Sequence, residues 1–235
     1  MIDNIKNLIE IDEKEVLRYL QYKNQTIDSN LLYKIKQCIK ITRETINPKF
    51  IARKYKIKKI KSQNEKGEVC IEGSNLILQS DDVYNLLSGC DECMLISATL
   101  GLEIEKEIRK LTYTDLTEGI IVDACATTAI EEVCDVVQDN ISKELLKEDK
   151  YTTYRYSPGS GDLSIEKNID INNLLNSNKE IGLTVTNSGI MIPRKSVVAI
   201  IGISDKKNIN SKKSCDNCGN RHNCNYKKGD NSCGN

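Results

Sequence analysis

The longest periodic segment of the chain runs from about Asp115 to Lys147 and is predicted to form one helix. Its apolar residues recur mainly at three- and four-residue intervals, as they do where one helix face packs against a core. A chain of 235 residues is long enough to bury a substantial core without disulfides. The predicted apolar stripe consists of Ile120, Ala124, Ile130, Val133, Val137, Ile141 and Leu145.

Strands and helices are interspersed along the rest of the chain without a regular strand-helix-strand rhythm. One helix is predicted after the N-cap Asp12, and a second between Asp28 and Pro48. Alternation from Phe50 to Ile60 predicts a strand, the first of a set of short antiparallel strands. These patterns favour an α+β fold over a doubly wound sheet. Further strands are predicted at 69–71, 76–78, 93–101, 182–186 and 196–203, and further helices at 81–88, 102–111 and 164–176.

Charge and hydropathy exclude several classes of partner. The chain has 34 basic and 34 acidic residues, so it lacks the net positive charge that favours binding to nucleic acid or to anionic membranes. It contains no apolar run long enough to span a bilayer, and its N-terminus lacks the pattern of a signal peptide. We therefore expect a cytoplasmic protein that binds neither nucleic acid nor membrane, with its ten cysteines reduced or bound to metal.

The composition changes at Asp205, where aliphatic residues nearly disappear, which predicts a folded domain over 1–204 and a cysteine-rich tail over 205–235. The tail carries four cysteines close together, two of them as a Cys-x-x-Cys pair. Four soft ligands in a polar segment are typical of a zinc site or an iron–sulfur cluster, and the alternative is a polar tail with free thiols. The predicted ligands are Cys215, Cys218, Cys224 and Cys233.

The segment RYSPGSGDLS, residues 155–164, concentrates Arg155, a proline and two glycines in ten positions. Glycine permits backbone conformations that bring main-chain groups close to a ligand, and proline stiffens the loop. An arginine can bind a carboxylate through two parallel hydrogen bonds. Composition alone favours an ordinary turn for this segment, and Arg155 is then explained by a surface ion pair.

This segment, together with IGLTVTNSGIMIPRKSVVAIIGI at 181–203, resembles the reactivation domain of cobalamin-dependent methionine synthase in a stand-alone form. SATLG at 97–101 and TTAIEEV at 127–133 are similar to the middle of that family, and the resemblance spans residues 8–204. It implies an α+β fold with a curved, mainly antiparallel sheet, flanking helices and a C-shaped outline.

The resemblance also implies a binding site for S-adenosylmethionine. Arg155 matches the arginine that holds the methionine part of this cofactor, and Ser160 stands where the family usually has tyrosine. From the residues alone, Asp12 is explained as a helix N-cap and Glu131 as a solvated surface carboxylate. The implied cofactor-binding residues are Asp12, Glu131, Arg155, Ser157, Gly159, Ser160 and Asp162, and no residue is assigned as catalytic.

The implied function is reactivation of a split methionine synthase, in which this chain presents S-adenosylmethionine for reductive methylation of cob(II)alamin on a corrinoid-binding partner. A flavodoxin or ferredoxin would supply the electron, and the chain itself would position the cofactor. Two alternatives remain. One is a non-catalytic docking or chaperone module for a corrinoid methyltransferase, and the other is a redox or metal-centre protein that acts through its cysteine-rich tail.

Overall fold

The structure is a computed structural model that describes residues 4–22, 25–63, 65–207, 209, 227–228 and 232–233. Among these residues, no helix is both long and apolar enough to cross a bilayer. A 3₁₀ turn at Ile5–Leu8 precedes the helices. The helices are α1 (Glu13–Tyr19), α2 (Ser29–Thr45), α3 (Asp81–Leu86), α4 (Glu103–Thr114), α5 (Leu116–Leu146), α6 (Lys167–Leu175) and α7 (Ser177–Ile181).

Six strands form an open sheet in the order β3-β2-β1-β4-β8-β5, and every neighbouring pair is antiparallel. The strands β6 and β7 form a separate hairpin, and so do β9 and β10. The fold is therefore α+β, as predicted. The strands are β1 (Lys49–Ile60), β2 (Glu68–Ile71), β3 (Ile77–Gln79), β4 (Glu92–Thr99), β5 (Tyr151–Thr152), β6 (Thr184–Val185), β7 (Met191–Ile192), β8 (Ser196–Ser204), β9 (Lys227–Lys228) and β10 (Ser232–Cys233).

The neighbouring strands β4 and β8 are buried on both faces. Successive side chains of a strand point to opposite faces. In β4, Ile96 and Ala98 pack into the core beneath the long helices, whereas Cys93 and Leu95 pack into a second core on the other face. This explains why both strands are apolar along most of their length. Cys90 and Cys93 are buried core residues, as expected from their position beside a buried strand.

The predicted elements agree with the structure at most positions, with two corrections. The strand predicted over 50–60 is observed as β1, a strand of 12 residues whose first part pairs with β4 and whose last part pairs with β2. The strand predicted at 182–186 is reduced to β6, since Gly182 has a φ of 74° that ends the extended conformation. Ile120 is 53% exposed, because the core face of α5 begins with Ile121 and Val122 instead.

Candidate functional site

Helix α5 presents a row of polar residues on one face. Asp115 caps its N-terminus by accepting a hydrogen bond from the Glu118 amide at 3.1 Å. Residues three or four positions apart lie on the same side of a helix. Glu131, Asp135 and Asp139 therefore project together, on the side of the helix away from its buried stripe. Gln138 extends the same row.

Arg155 meets this row because its segment is fixed along β8. Tyr156 exchanges two backbone hydrogen bonds with Ile200, at 2.9 and 2.8 Å, and its ring is buried in the core. Alternation along an extended segment then directs the neighbouring Arg155 to the side occupied by α5. Its Nη2 donates to Glu131 Oε2 at 2.8 Å, and its Nη1 donates to Asp135 Oδ1 at 2.5 Å. The Arg155 side chain is only 13% exposed.

These residues line an open cavity of about 560 Å³. Its volume is typical of sites for small molecules and cofactors. Polar groups of α5 and the 155–164 loop form one wall, and apolar groups of β7 and β8 form another. The lining residues are Glu131, Asp135, Gln138, Asp139, Tyr154, Arg155, Ser157, Pro158, Ser160, Asn168, Met191, Val197 and Val198.

The loop between Arg155 and Leu163 is held by its own hydrogen bonds. The Gly159 amide donates to the Leu163 carbonyl at 2.9 Å, and the Ser160 amide donates to the Ser157 carbonyl at 3.1 Å. The Tyr156 hydroxyl donates to Asp82 Oδ2 at 2.8 Å and contacts the Ser160 carbonyl at 3.1 Å. The chain is therefore fixed on both sides of Pro158, and these hydrogen bonds hold the loop in place as one wall of the cavity.

The side chain of Asp162 is directed to α3 and does not line the cavity. Its carboxylate accepts hydrogen bonds from the Ser80 hydroxyl and from the Asp81 amide, the latter at 2.9 Å. Burial opposes ionisation of this carboxyl, but these bonds hold its pKa below the ordinary value. Asp162 thus attaches the loop to the start of α3.

Asp12 lies in a neighbouring cavity of about 60 Å³. Its carboxylate accepts a hydrogen bond from the Lys14 amide at 2.8 Å, so it is the N-cap of α1. Glu131 and Asp135 line this small cavity as well as the large one. Asp12 and Arg155 therefore lie at adjoining cavities that share two carboxylates.

The guanidinium of Arg155 stays charged in this setting. Burial lowers its pKa, but the neighbouring Asp135 and Glu131 carboxylates raise it, and the net shift is upward. Burial raises the pKa of the Cys134 thiol to about 12, so this side chain stays neutral beside the ion pairs. The cavity wall therefore offers a permanent cation between two carboxylates, an arrangement that suits a ligand carrying both a carboxylate and an ammonium group.

The structure brings together four of the residues implied by the sequence resemblance, Glu131, Arg155, Ser157 and Ser160, around one cavity. Gly159 lies in the same loop between two lining residues. The contacts of all seven residues with a cofactor remain a prediction. Of the predicted metal ligands, Cys215, Cys218 and Cys224 lie outside the described residues, and Cys233 lies in β10.

Several lining residues were missed by the sequence analysis. Asp135, Gln138 and Asp139 follow Glu131 at helical spacing, and that spacing is the signal that could have found them. Asn168 is buried, with 2% exposure, and donates to the Gly189 carbonyl at 2.9 Å. It comes to the cavity through the packing of α6, for which the sequence gives no local signal.

Residues 34–211 match the model of the family described as vitamin B12 dependent methionine synthase, activation domain. Among solved structures, the chain is similar to a crystal structure of the MetH reactivation domain bound to AdoHcy, with a TM-score of 0.59. The identity is 15%, over 84% of this chain and 71% of that chain, so the likeness concerns the fold. No curated protein sequence matches the chain. Because the family match spans more than half of the chain, this protein belongs to the vitamin B12 dependent methionine synthase activation domain family, as the resemblance in its sequence indicated.

Proposed function

We propose that this chain is the S-adenosylmethionine-binding reactivation component of a split cobalamin-dependent methionine synthase. It would support reductive methylation of the cob(II)alamin that a separate corrinoid-binding subunit carries. This reaction would maintain methionine biosynthesis. The observation that carries the proposal is Arg155, a largely buried cation that lies between Glu131 and Asp135 on the wall of a 560 Å³ cavity.

The residues of the cavity fit this cofactor chemically. The guanidinium of Arg155 can bind the carboxylate of the methionine part with two hydrogen bonds, while Glu131 or Asp135 takes its ammonium group. The carboxylates also accept hydrogen bonds from ribose hydroxyls. Met191, Val197 and the other apolar lining groups offer a surface for the adenine ring.

The 155–164 loop contributes shape more than free hydrogen-bond donors. The amides of Gly159 and Ser160 already donate within the loop. Any main-chain contact from these two residues would therefore come from their carbonyl groups. Bound S-adenosylmethionine supplies the methyl group for the cobalt, and the residues of this chain hold and orient it. This role needs no general acid or base in the cavity.

The same proposal includes the partners and the tail. A flavodoxin or ferredoxin would deliver the single electron that the reduction requires, and the proteins would meet in the cytoplasm. The tail cysteines Cys215, Cys218, Cys224 and Cys233 would hold zinc or an iron–sulfur cluster. Metal analysis and a visible spectrum of anaerobically purified protein test the tail. Zinc supports a structural site, and the spectrum of an iron–sulfur cluster supports an electron-transfer role. If neither zinc nor a cluster is found, this part of the proposal is refuted.

Calorimetry with S-adenosylmethionine tests the proposed function. We expect binding to the full chain, and at least a tenfold loss of affinity in Arg155→Ala, because a charge-assisted bidentate contact disappears. Arg155→Lys should bind more weakly than wild type, since an ammonium cannot reproduce the paired hydrogen bonds. Arg53→Ala is the control, because Arg53 forms an exposed pair with Glu180 and lines neither cavity.

A second measurement addresses the activity. Methionine synthase that lacks its own activation domain and carries cob(II)alamin is mixed with this chain, reduced flavodoxin and S-adenosylmethionine. Formation of methylcobalamin that is lost in Arg155→Ala supports the proposal. Absence of binding at millimolar S-adenosylmethionine in the presence of the corrinoid protein, or equal methylation by Arg155→Ala, refutes it.

A further inference from the structure

Asn168, which lines the large cavity, carries a buried hydrogen-bond acceptor without a partner. The residue is only 2% exposed, and its Nδ2 donates to the Gly189 carbonyl at 2.9 Å. A carbonyl oxygen can only accept a hydrogen bond, so the amide nitrogen must face Gly189 and the oxygen Oδ1 is left over. Among the described residues, nothing donates a hydrogen bond to this oxygen.

An unpaired acceptor at this place requires an explanation. Most buried polar groups of folded proteins are hydrogen-bonded, because an unsatisfied group loses its hydration without any replacement. Within the described part of the chain, four buried side chains have such an unpaired atom, and only Asn168 among them lines the large cavity. The others are Ser97, Asn172 and Ser177. Asn168 is therefore the one whose missing partner a ligand in this cavity can supply.

Asn168 is attached to the apolar side of the cavity. The Gly189 carbonyl that it binds belongs to the turn of the β6–β7 hairpin, two residues before Met191, which also lines the cavity. Arg155, by contrast, is paired with two carboxylates of α5. The cavity therefore has a charged side at α5 and an apolar side at the hairpin, and the free oxygen of Asn168 belongs to the apolar side.

The chemistry of the proposed cofactor indicates which of its groups this oxygen would bind. S-adenosylmethionine offers hydrogen-bond donors on its ammonium, on its ribose hydroxyls and on the exocyclic amine of adenine. The ammonium and the hydroxyls suit the carboxylates beside Arg155, on the charged side. The amine is at the opposite end of the molecule, on the flat ring that the apolar residues suit. The side-chain amide of asparagine is well matched to this edge of adenine.

We propose that Asn168 Oδ1 accepts a hydrogen bond from the exocyclic amine of adenine and makes the site specific for adenine over hypoxanthine. The inference rests on the proposed function, because it assigns the recognition of the base in the same cavity. Hypoxanthine has a carbonyl oxygen where adenine has the amine, so it would place one acceptor against another. A site that recognises a donor rejects an analogue without it, since the buried acceptor then stays unpaired.

Calorimetry on the full chain with S-adenosylmethionine and its deaminated form, S-inosylmethionine, tests the inference. We expect the wild-type chain to bind the adenine form at least about tenfold more tightly. Asn168→Leu and Asn168→Ala remove the acceptor and should each reduce this preference to less than about threefold. The readout is a ratio between two ligands on one variant, so a general loosening of the fold, which weakens both, does not imitate the effect.

Asn172→Leu is the matched control. Asn172 lies one turn further along α6, is buried and has the same unpaired oxygen, but it lines neither cavity. The change therefore removes a buried amide from the same helix without touching the cavity wall. Asn172→Leu should keep the wild-type preference for the adenine form, whatever it does to the stability of the protein.

The outcomes distinguish this inference from the proposed function. Equal affinity of the wild-type chain for the two ligands, or an unchanged preference in the Asn168 variants, would overturn the inference and leave the cofactor site intact. Failure of S-adenosylmethionine to bind would remove the proposed function and the inference with it. A preference that falls in the Asn168 variants and persists in Asn172→Leu supports recognition of adenine by Asn168.

Discussion

The carboxylates of Asp82 and Asp162 each accept a hydrogen bond from the backbone amide of the other residue, at 3.4 Å in both directions. Asp162 also binds the Ser80 hydroxyl and the Asp81 amide, and Asp82 also binds the Tyr156 hydroxyl. This reciprocal pair attaches the 155–164 loop to the first turn of α3. The position of the cavity wall therefore depends on residues 80 positions away in the chain.

Replacing Asp162 with alanine should destabilise the protein and weaken cofactor binding together. The change leaves the Asp81 and Asp82 amides and the Ser80 hydroxyl without their acceptor, at an expected cost of about 1–3 kcal/mol in the free energy of unfolding. Urea denaturation measures this cost. Asp170→Ala, which removes only an exposed pair with Lys167, should cost less than about 0.5 kcal/mol. Equal effects of the two variants would contradict the structural role of Asp162.

Gly161→Ala should be more damaging than an equivalent change elsewhere. Gly161 has a φ of 49°, and an added Cβ would overlap the Asp82 carboxylate and the Tyr156 hydroxyl. Gly73 also has a positive φ, of 77°, but an added Cβ there meets nothing within 4 Å. Gly73→Ala therefore measures the backbone cost alone, about 1–2 kcal/mol. Thermal unfolding should show a clearly larger loss for Gly161→Ala, and similar losses would show that the overlap is relieved without cost.

Glu132→Gln should stabilise the protein at neutral pH. Burial and nearby negative charges raise the pKa of Glu132 above its ordinary value of 4.5 in the folded state. As pH rises from 4.5, the unfolded chain therefore loses this proton before the folded chain does, and the free energy of unfolding falls. Glutamine stays neutral at every pH, so the variant avoids this fall. The gain in midpoint of urea unfolding should be present at pH 7 and vanish near pH 4. Glu148→Gln controls for loss of one negative charge, and the same gain in both variants would argue against a local cause.

Ser160→Tyr should strengthen binding of S-adenosylmethionine. Ser160 lines the cavity, and the sequence resemblance matches it with a tyrosine of the family. An aromatic ring there would add a contact worth about 0.5–1.5 kcal/mol. This corresponds to a gain in affinity of about two- to tenfold by calorimetry. Ser164→Tyr places the same ring at an exposed position outside the cavity wall and should leave affinity unchanged. A loss of affinity in Ser160→Tyr would show that the loop of this chain has no room for the ring.

The elements that could be predicted from sequence are those with a strong local pattern. The helix predicted from Asp115 to Lys147 is observed as α5 with Asp115 and Lys147 as its caps, and the apolar run at 196–203 is β8. The strand predicted at 182–186 is observed only as the two residues of β6, because so short a strand depends on its partner more than on its own residues. The family could also be recognised from the sequence, because the resemblance rests on several motifs that are separated along the chain. The family match agrees with that resemblance.

The sequence by itself determined the helices, the buried strands, the stiff glycine- and proline-containing loop and the presence of an arginine at its start, because periodicity and backbone preference act over a few residues. Only the tertiary structure decided that Arg155 contacts Asp135 and Glu131, which are 20 and 24 residues earlier in the chain. It also decided that the Asp162 carboxylate binds the start of α3 and does not line the cavity, whereas Asp139 lines it. These relationships follow from how α3 and α5 pack against the sheet, and long-range packing is encoded in no single segment.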